Sequence, residues 1–380
     1  MHFEFKAPRD GIIFGAGILS EIGIRTKKFG KKCMITCGPG TSKKGLAGKV
    51  RGLLEKEGIN TAIYDKVIPN PTVGIVDKGA AIARKEKCEF IIGLGGGSAM
   101  DTAKGIAVAA AHEGSIWSYA LGKSEITEKT LPVVAATTTS GTGSQCTCFA
   151  VISNNMTHQK PGMGSPYILP ALAIVDPELM LSVPEEITRA TGFDVFSHAV
   201  EALTSKTSTP ISDMFAEKAI GLVAKHLPEC YKNGNNLEAR SGMALADTYA
   251  GIAISHAAVS LGHVLSHIIG GYYPDIAHGD ALFSVYREVL RFNATALPEK
   301  HSFIAESLAP GEKDIITAFD KFFSRFHFEN KFRMKNPDSR QIKQLASEVY
   351  TYMKGLTELN PVANNVHDAY NILEKSLTGE

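Results

Sequence analysis

The chain is poor in the features that mark several large protein classes. Neither sign of charge dominates: 40 Lys+Arg stand against 39 Asp+Glu, a formal net charge of +1. That balance gives no reason to expect nucleic acid or an anionic membrane as partner, so a small molecule is expected instead. No stretch reaches the roughly 18 uncharged apolar residues of a membrane span, and the opening Met1-His2-Phe3-Glu4-Phe5-Lys6 carries charges where a secretory signal needs apolar residues. The expected location is therefore the cytoplasm. Cysteine is scarce: six in 380 residues cannot form a dense disulfide framework, and a reducing compartment is the simpler setting. Cys146 and Cys148 are expected on one face of a strand, as small core residues. There is no internal repeat and no low-complexity tract.

What is present falls into two halves, and 380 residues is beyond the size at which one core usually stops growing. Up to about residue 183, short β-branched runs alternate with helical stretches, as in a parallel sheet covered by helices. The candidate strands are Cys33–Thr36, Ala62–Tyr64, Phe90–Leu94, Val133–Ala135 and Leu172–Val175. Beyond 183 the pattern becomes apolar residues every three or four positions, as in 211–228, 238–269 and 340–377, which reads as all-helical. Ser182-Val183-Pro184-Glu185 carries a helix-start signal that also fits a domain boundary. The expected fold is thus an α/β Rossmann-like dinucleotide-binding domain over 1–183, followed by an all-α metal- and substrate-binding domain over 184–380.

In the first half, the strand at 90–94 runs into Gly95-Gly96-Gly97-Ser98 and then a helix from Ala99, with Ser98 expected as N-cap. Glycines let the backbone approach a pyrophosphate, and free N–H groups at a helix start favour negative charge. A tight turn needing positive φ would use the same residues. A second turn, Thr138 to Ser144, follows the strand at 133–136 with hydroxyls in quick succession. Neither turn is the G-x-G-x-x-G fingerprint or a P-loop, so a dinucleotide would bind by a variant route. The strand at 33–36 continues Cys37-Gly38-Pro39 without the acid that would bond a ribose 2′-hydroxyl, and Lys43 and Lys44 follow, so NAD and NADP both stay open.

In the second half, Asp194 and His198 are spaced i, i+4, as are His263 and His267, so each pair shares a helix face; His278 follows a Pro-containing turn. One such pair commonly stabilises a helix without a ligand. Two together, with imidazoles on an otherwise apolar face where an unpartnered ring would be costly, make a metal site the stronger reading.

These segments together resemble the iron-containing, or group III, alcohol dehydrogenase family. The likeness rests on Gly95 to Ser98 with Asp101 and Lys104, on Thr138 to Ser144, on Val175-Asp176-Pro177-Glu178-Leu179, and on the Asp194/His198 and His263/His267/His278 segments. The resemblance implies that Asp194, His198, His263 and His278 hold one divalent ion, Fe2+ or in some members Zn2+. It implies that Gly96, Gly97, Ser98, Thr138, Thr139 and Thr142 hold the NAD(P) phosphates and adenosine half, with Asp101 and Lys160 as further cofactor-binding residues. Gln145 stands where the family has Glu, and the interval from His267 to His278 is one residue longer than usual. By position relative to these motifs Phe149, Val151, Ile254 and His256 are candidate pocket residues, beside Cys148; His256 fits a core role equally well.

The expected activity is a metal-dependent NAD(P)-linked alcohol dehydrogenase or aldehyde reductase. Its substrate would be a short aldehyde or primary alcohol, with a polar or anionic tail as one option that His256 would meet. His267, one turn from His263, is the candidate proton relay, a packing or supporting role being the other reading. Two alternatives share the architecture: a dehydroquinate-synthase-like metal-dependent carbon–oxygen lyase, and a non-catalytic dinucleotide-binding protein. A homodimer or higher homo-oligomer is expected, with Phe3-Glu4-Phe5 and Ile12-Ile13-Phe14 as strands able to pair between subunits.

Overall fold

The structure, a computed structural model, describes residues 4–378. Contacts divide the chain into two compact units, one from Lys6 to Ser182 and one from Val183 onward that also takes in Phe5.

In the first unit, β1 (Ile12–Phe14), β2 (Lys32–Thr36), β3 (Asn60–Tyr64), β4 (Phe90–Gly95), β5 (Val133–Thr137) and β8 (Leu172–Val175) form one parallel sheet in the order β1-β8-β5-β4-β2-β3. A separate hairpin joins β6 (Phe149–Val151) to β7 (Gly162–Gly164). The central strands carry no polar alternation because both faces are covered: Ile35 pairs with Ile92 and Ile92 with Val134, all fully buried. Each expected strand is present within one or two residues of its expected ends. The chain leaves β2 toward β3 on one side and leaves β4 toward β5 on the other. That reversal puts the topological switch point, where open α/β sheets bind ligands, between the carboxyl ends of β2 and β4.

Several local expectations change. Ile12–Phe14 pairs with Ala173–Val175 of its own chain, as an edge strand of the sheet. Glu4 and Phe5 are not in a strand, and Phe3 lies outside the described residues. Cys146 closes a 3-10 turn over Ser144–Cys146 and Cys148 precedes β6, so the two do not share a strand face. The backbone there bends around a buried lysine, Lys104, which collects its carbonyls. The Gly97–Ala111 helix begins two residues earlier than expected, with Gly96 rather than Ser98 at its N-cap.

The second unit is all-helical. Its main core gathers around Phe193, whose ring meets Phe283, Tyr286, Phe319 and Phe323 edge-on. The helix Glu185–Thr204 starts where the sequence indicates, but Pro184 occupies the N-cap and Ser182 makes no cap. The apolar run 238–269 is two helices, Leu237–Ala257 and Leu261–Tyr272, bent 101° at a break where Ala258 takes a left-handed φ of 58°. The run 340–377 is likewise interrupted, between helices Ser339–Tyr352 and Val366–Thr378, by the single turn Lys354–Thr357 and a loop whose Asn360 is fully buried and exchanges amide hydrogen bonds with Asn293. Among the described residues no single helix is long and apolar enough to cross a membrane.

Candidate active site

The helix Glu185–Thr204 is buried almost all round in its second half, so the i, i+4 spacing of Asp194 and His198 aims both side chains into the unit's interior. The 101° bend then brings the Leu261–Tyr272 helix, carrying His263 and His267, across that face, and His278 opens the helix His278–Asn293. Three imidazole nitrogens converge on one carboxylate oxygen. Oδ1 of Asp194 lies 3.4 Å from His263 Nε2, 3.4 Å from His278 Nε2 and 3.8 Å from His198 Nε2. Donor atoms of Asp194, His263 and His278 all fall within 4.8 Å of one another, while the His198 ring stacks on His263 with centroids 4.4 Å apart.

These residues fit a divalent ion on two grounds. Asp194 Oδ1 is buried and accepts no hydrogen bond, a costly state for a carboxylate oxygen unless a cation meets it. Ligands about 2.1 Å from a tetrahedral centre stand about 3.4 Å from each other, which is the separation of His263 Nε2 and of His278 Nε2 from Asp194 Oδ1. Left to themselves, the side chains polarise one another. Burial alone would raise the Asp194 carboxyl, but facing His198, His278 and His263 hold it well below the usual range. Burial lowers His198 to about 4, whereas His263, also pressed down by burial, is lifted to about 9 by Glu201 and Asp194.

Glu201 is the residue that sequence reasoning missed. It sits one turn beyond His198 on the same helix, nearly unexposed, with Oε1 3.1 Å from His263 Nδ1. The same carboxylate accepts the backbone N–H of His263 at 3.1 Å and that of Ser260. It therefore caps the Leu261–Tyr272 helix from outside and directs His263 Nε2 toward Asp194. Gly262 leaves it room, since a Cβ there would stand 2.4 Å from Glu201 Oε1. The sequence signal available was a lone acid in an otherwise apolar Ala199-Val200-Glu201-Ala202 run. His267 is buried, with its ring 5.3 Å from that of His278 and 6.4 Å from that of His263, near the convergence point without joining it.

In the sheet unit, the two turns named from sequence lie against each other. Gly95 has a φ of 152°, which a side chain would strain, and a Cβ on Gly97 would stand 2.5 Å from Thr142 Cγ2. Thr139 stands over Gly96 in the same way, and Thr138 N–H bonds Gly95 O at 3.0 Å. Ser98 lies in the first turn of the Gly97–Ala111 helix, whose N-terminal N–H groups open beside these hydroxyls. Asp101 has both oxygens engaged, by Ser144 Oγ at 2.7 Å and Val151 N–H at 3.0 Å. Lys160 is buried just before β7. The turn after β2 has no acid, but on its other side Asp65 follows the edge strand β3 directly, and hydrogen bonds from Lys66 first and Ser42 among the others hold its carboxyl low.

The four pocket candidates separate into two pairs. Phe149 and Val151 are half-buried and share one side of β6. Ile254 is packed in the helical core, and His256 stacks on Phe5 with rings 4.7 Å apart and gives Nδ1 to the Ile252 carbonyl at 2.8 Å.

The family description "Iron-containing alcohol dehydrogenase" matches residues 9–177, and its C-terminal counterpart matches 188–377. The NAD-dependent methanol dehydrogenase of Bacillus methanolicus is 34% identical over 96% of this chain and 97% of its own length. The solved structure of an archaeal halo-thermophilic Red Sea brine pool alcohol dehydrogenase superposes with a TM-score of 0.95 at 38% identity, covering 99% of each chain. The sulfoacetaldehyde reductase of Bifidobacterium kashiwanohense, solved with NAD+, superposes at 0.89 with 30% identity over the whole of both chains. A parallel sheet unit followed by a helical unit with an Asp and His convergence, matched from end to end in this way, makes the chain a member of the iron-containing alcohol dehydrogenase family.

Proposed function

We propose that the protein is a metal-dependent, NAD-linked alcohol dehydrogenase that interconverts short polar aldehydes and primary alcohols. The observation that carries this reading is the convergence of imidazole nitrogens on the hydrogen-bond-free Oδ1 of Asp194. Asp194, His198, His263 and His278 would hold Fe2+, with Zn2+ as the second choice, and Glu201 would keep His263 in the tautomer that presents Nε2. When bound, the ion supplies Lewis acidity for charge developing on the substrate oxygen, and the nicotinamide exchanges the hydride.

The chain's own residues do the rest. Gly96, Gly97, Ser98, Thr138, Thr139 and Thr142 offer N–H and hydroxyl groups to the cofactor phosphates, and Lys160 adds a buried cation. Asp65, beside the β2 turn, opposes a 2′-phosphate and favours NAD over NADP. His267 takes or returns the hydroxyl proton as the carbonyl forms or is reduced; its burial keeps bulk water from that exchange. Phe149 and Val151 supply an apolar wall that suits a short chain. His256, stacked on Phe5, is assigned to packing more than to substrate. A short substrate agrees with those named for the methanol dehydrogenase and sulfoacetaldehyde reductase relatives. Homo-oligomer formation through the outer edge of β1 completes the proposal.

The test is nicotinamide absorbance with Fe(II)-loaded protein, NADH and a panel of two- to four-carbon aldehydes. Net NADH oxidation that tracks alcohol formation is the expected result. Turnover of a substrate without net change in cofactor would point to the lyase chemistry, and no turnover with tight cofactor binding would point to a binding protein.

A further inference from the structure

Lys104 is the most unusual residue in the sheet unit. It is fully buried, yet its Nζ donates to five oxygens: the Ser144 carbonyl at 2.8 Å and hydroxyl at 2.9 Å, the Thr147 carbonyl at 2.9 Å and hydroxyl at 3.1 Å, and the Phe149 carbonyl at 2.6 Å. Three donors cannot bond five acceptors at full strength, so the ammonium acts as a point charge at the centre of an oxygen cage. Asp101, three residues earlier on the same helix face, accepts the Ser144 hydroxyl and the Val151 N–H. Acid and base thus clasp both ends of the segment 144–151. One end continues the Thr138–Gly143 turn, which lies against Gly96 and Gly97; the other is β6, with Phe149 and Val151.

We infer that Lys104 and Asp101 are positioning residues that hold the threonine turn at a fixed distance from the glycine turn, and so set the width of the cofactor-phosphate cradle. The coupling is mechanical. The Gly97 helix carries the phosphate-facing N–H groups at its start and the clasp one and two turns later, so turn and N–H groups are referenced to one rigid element. Without the clasp, the segment's oxygens lose their ammonium donor and keep only long contacts, from the Thr147 N–H to the Ser144 carbonyl at 3.4 Å and from the Thr147 hydroxyl to the Phe149 carbonyl at 3.5 Å, so the segment is free to move away from the helix. Burial lowers the Lys104 ammonium to about 8, with Asp101 opposing that fall, so the cation persists at neutral pH.

This inference rests on the reading that the two turns hold the cofactor, and the experiment separates the two. NADH affinity is measured by fluorescence on the full-length wild type, Lys104→Met, Thr147→Val and Thr147→Ser, together with Fe(II) affinity and amide hydrogen exchange over 138–151. If the wild type binds neither NADH nor NADPH, the cofactor reading itself fails. If it binds, Lys104→Met is expected to weaken NADH binding roughly tenfold or more, with Fe(II) affinity retained and exchange in 138–151 accelerated. Thr147→Val, which removes one acceptor, should weaken binding about threefold, and Thr147→Ser, which keeps the hydroxyl, should match wild type. Should Lys104→Met not fold, the Thr147 pair decides. A folded Lys104→Met protein with unchanged NADH affinity, or Val and Ser variants that bind alike, overturns the inference.

Discussion

Both units bury charge, but they treat it in opposite ways. In the sheet unit, Lys104 is fully enclosed and Asp101 beside it half-buried, and both find their partners within the chain, from oxygens at 2.6–3.1 Å and from a hydroxyl and an N–H. In the helical unit, Asp194 is equally enclosed, yet its Oδ1 accepts no hydrogen bond and faces nitrogens at 3.4 Å and beyond. The first arrangement is a closed network, complete without a ligand. The second is open, and it is the open one that matches a cation's coordination shell. Buried charge marks function where the chain leaves it incomplete; where the chain completes it, it marks geometry that something else uses.

Substitutions can be ranked by how hard they press on that contrast. Asp194→Ala should have the largest effect, loss of stoichiometric iron by elemental analysis and a fall in kcat of roughly a thousandfold or more, while the sheet unit keeps its NADH affinity. His267→Gln should retain metal and cofactor but lower kcat by about a hundredfold, measured against a solvent-pH series in which the variant's profile flattens. Glu201→Gln keeps the shape of the carboxylate but lets His263 choose the wrong tautomer, and competition with a chelator should show metal binding weakened about 10- to 100-fold. Asp65→Asn should shift the NAD:NADP ratio of kcat/KM about tenfold toward NADP, with metal content unchanged. His256→Ala should be the mildest: loss of the Phe5 stack costs about 1 kcal/mol of stability by thermal melt, with kcat/KM on neutral and anionic aldehydes altered equally. A selective loss on anionic aldehydes would return His256 to the substrate pocket.

The same contrast explains what could be read from the sequence. The sheet strands are legible because burial on both faces forces uninterrupted apolar runs such as Phe90–Leu94, and the Asp194 and His263 pairs are legible because i, i+4 spacing of ligand-type residues is conspicuous on apolar helices. The β6–β7 hairpin is not, since Gly162-Met163-Gly164 carries no strand-forming residue and its place is fixed by pairing with Phe149–Val151. Nor is the break at 258–260, where the apolar period runs on and Glu201, 59 residues away from Ser260, decides where the second helix begins. The burial of Lys104 and Glu201 is not legible for a shared reason: a charged residue on a helix looks like part of a solvated face until the fold encloses it. Ser98 is not the cap, since the helix already starts at Gly97 behind an extended Gly96.

The central claim is that the open cluster in the helical unit is a divalent-ion site on which turnover depends. Anaerobic titration of the metal-free protein with Fe(II), followed by equilibrium dialysis and an NADH-consumption assay on the same samples, tests it most directly. About one ion retained per chain, activity rising in proportion to occupancy, and neither seen with Asp194→Ala is the predicted result. Full activity in the dialysed, metal-free protein, or undiminished iron retention by Asp194→Ala, would contradict it.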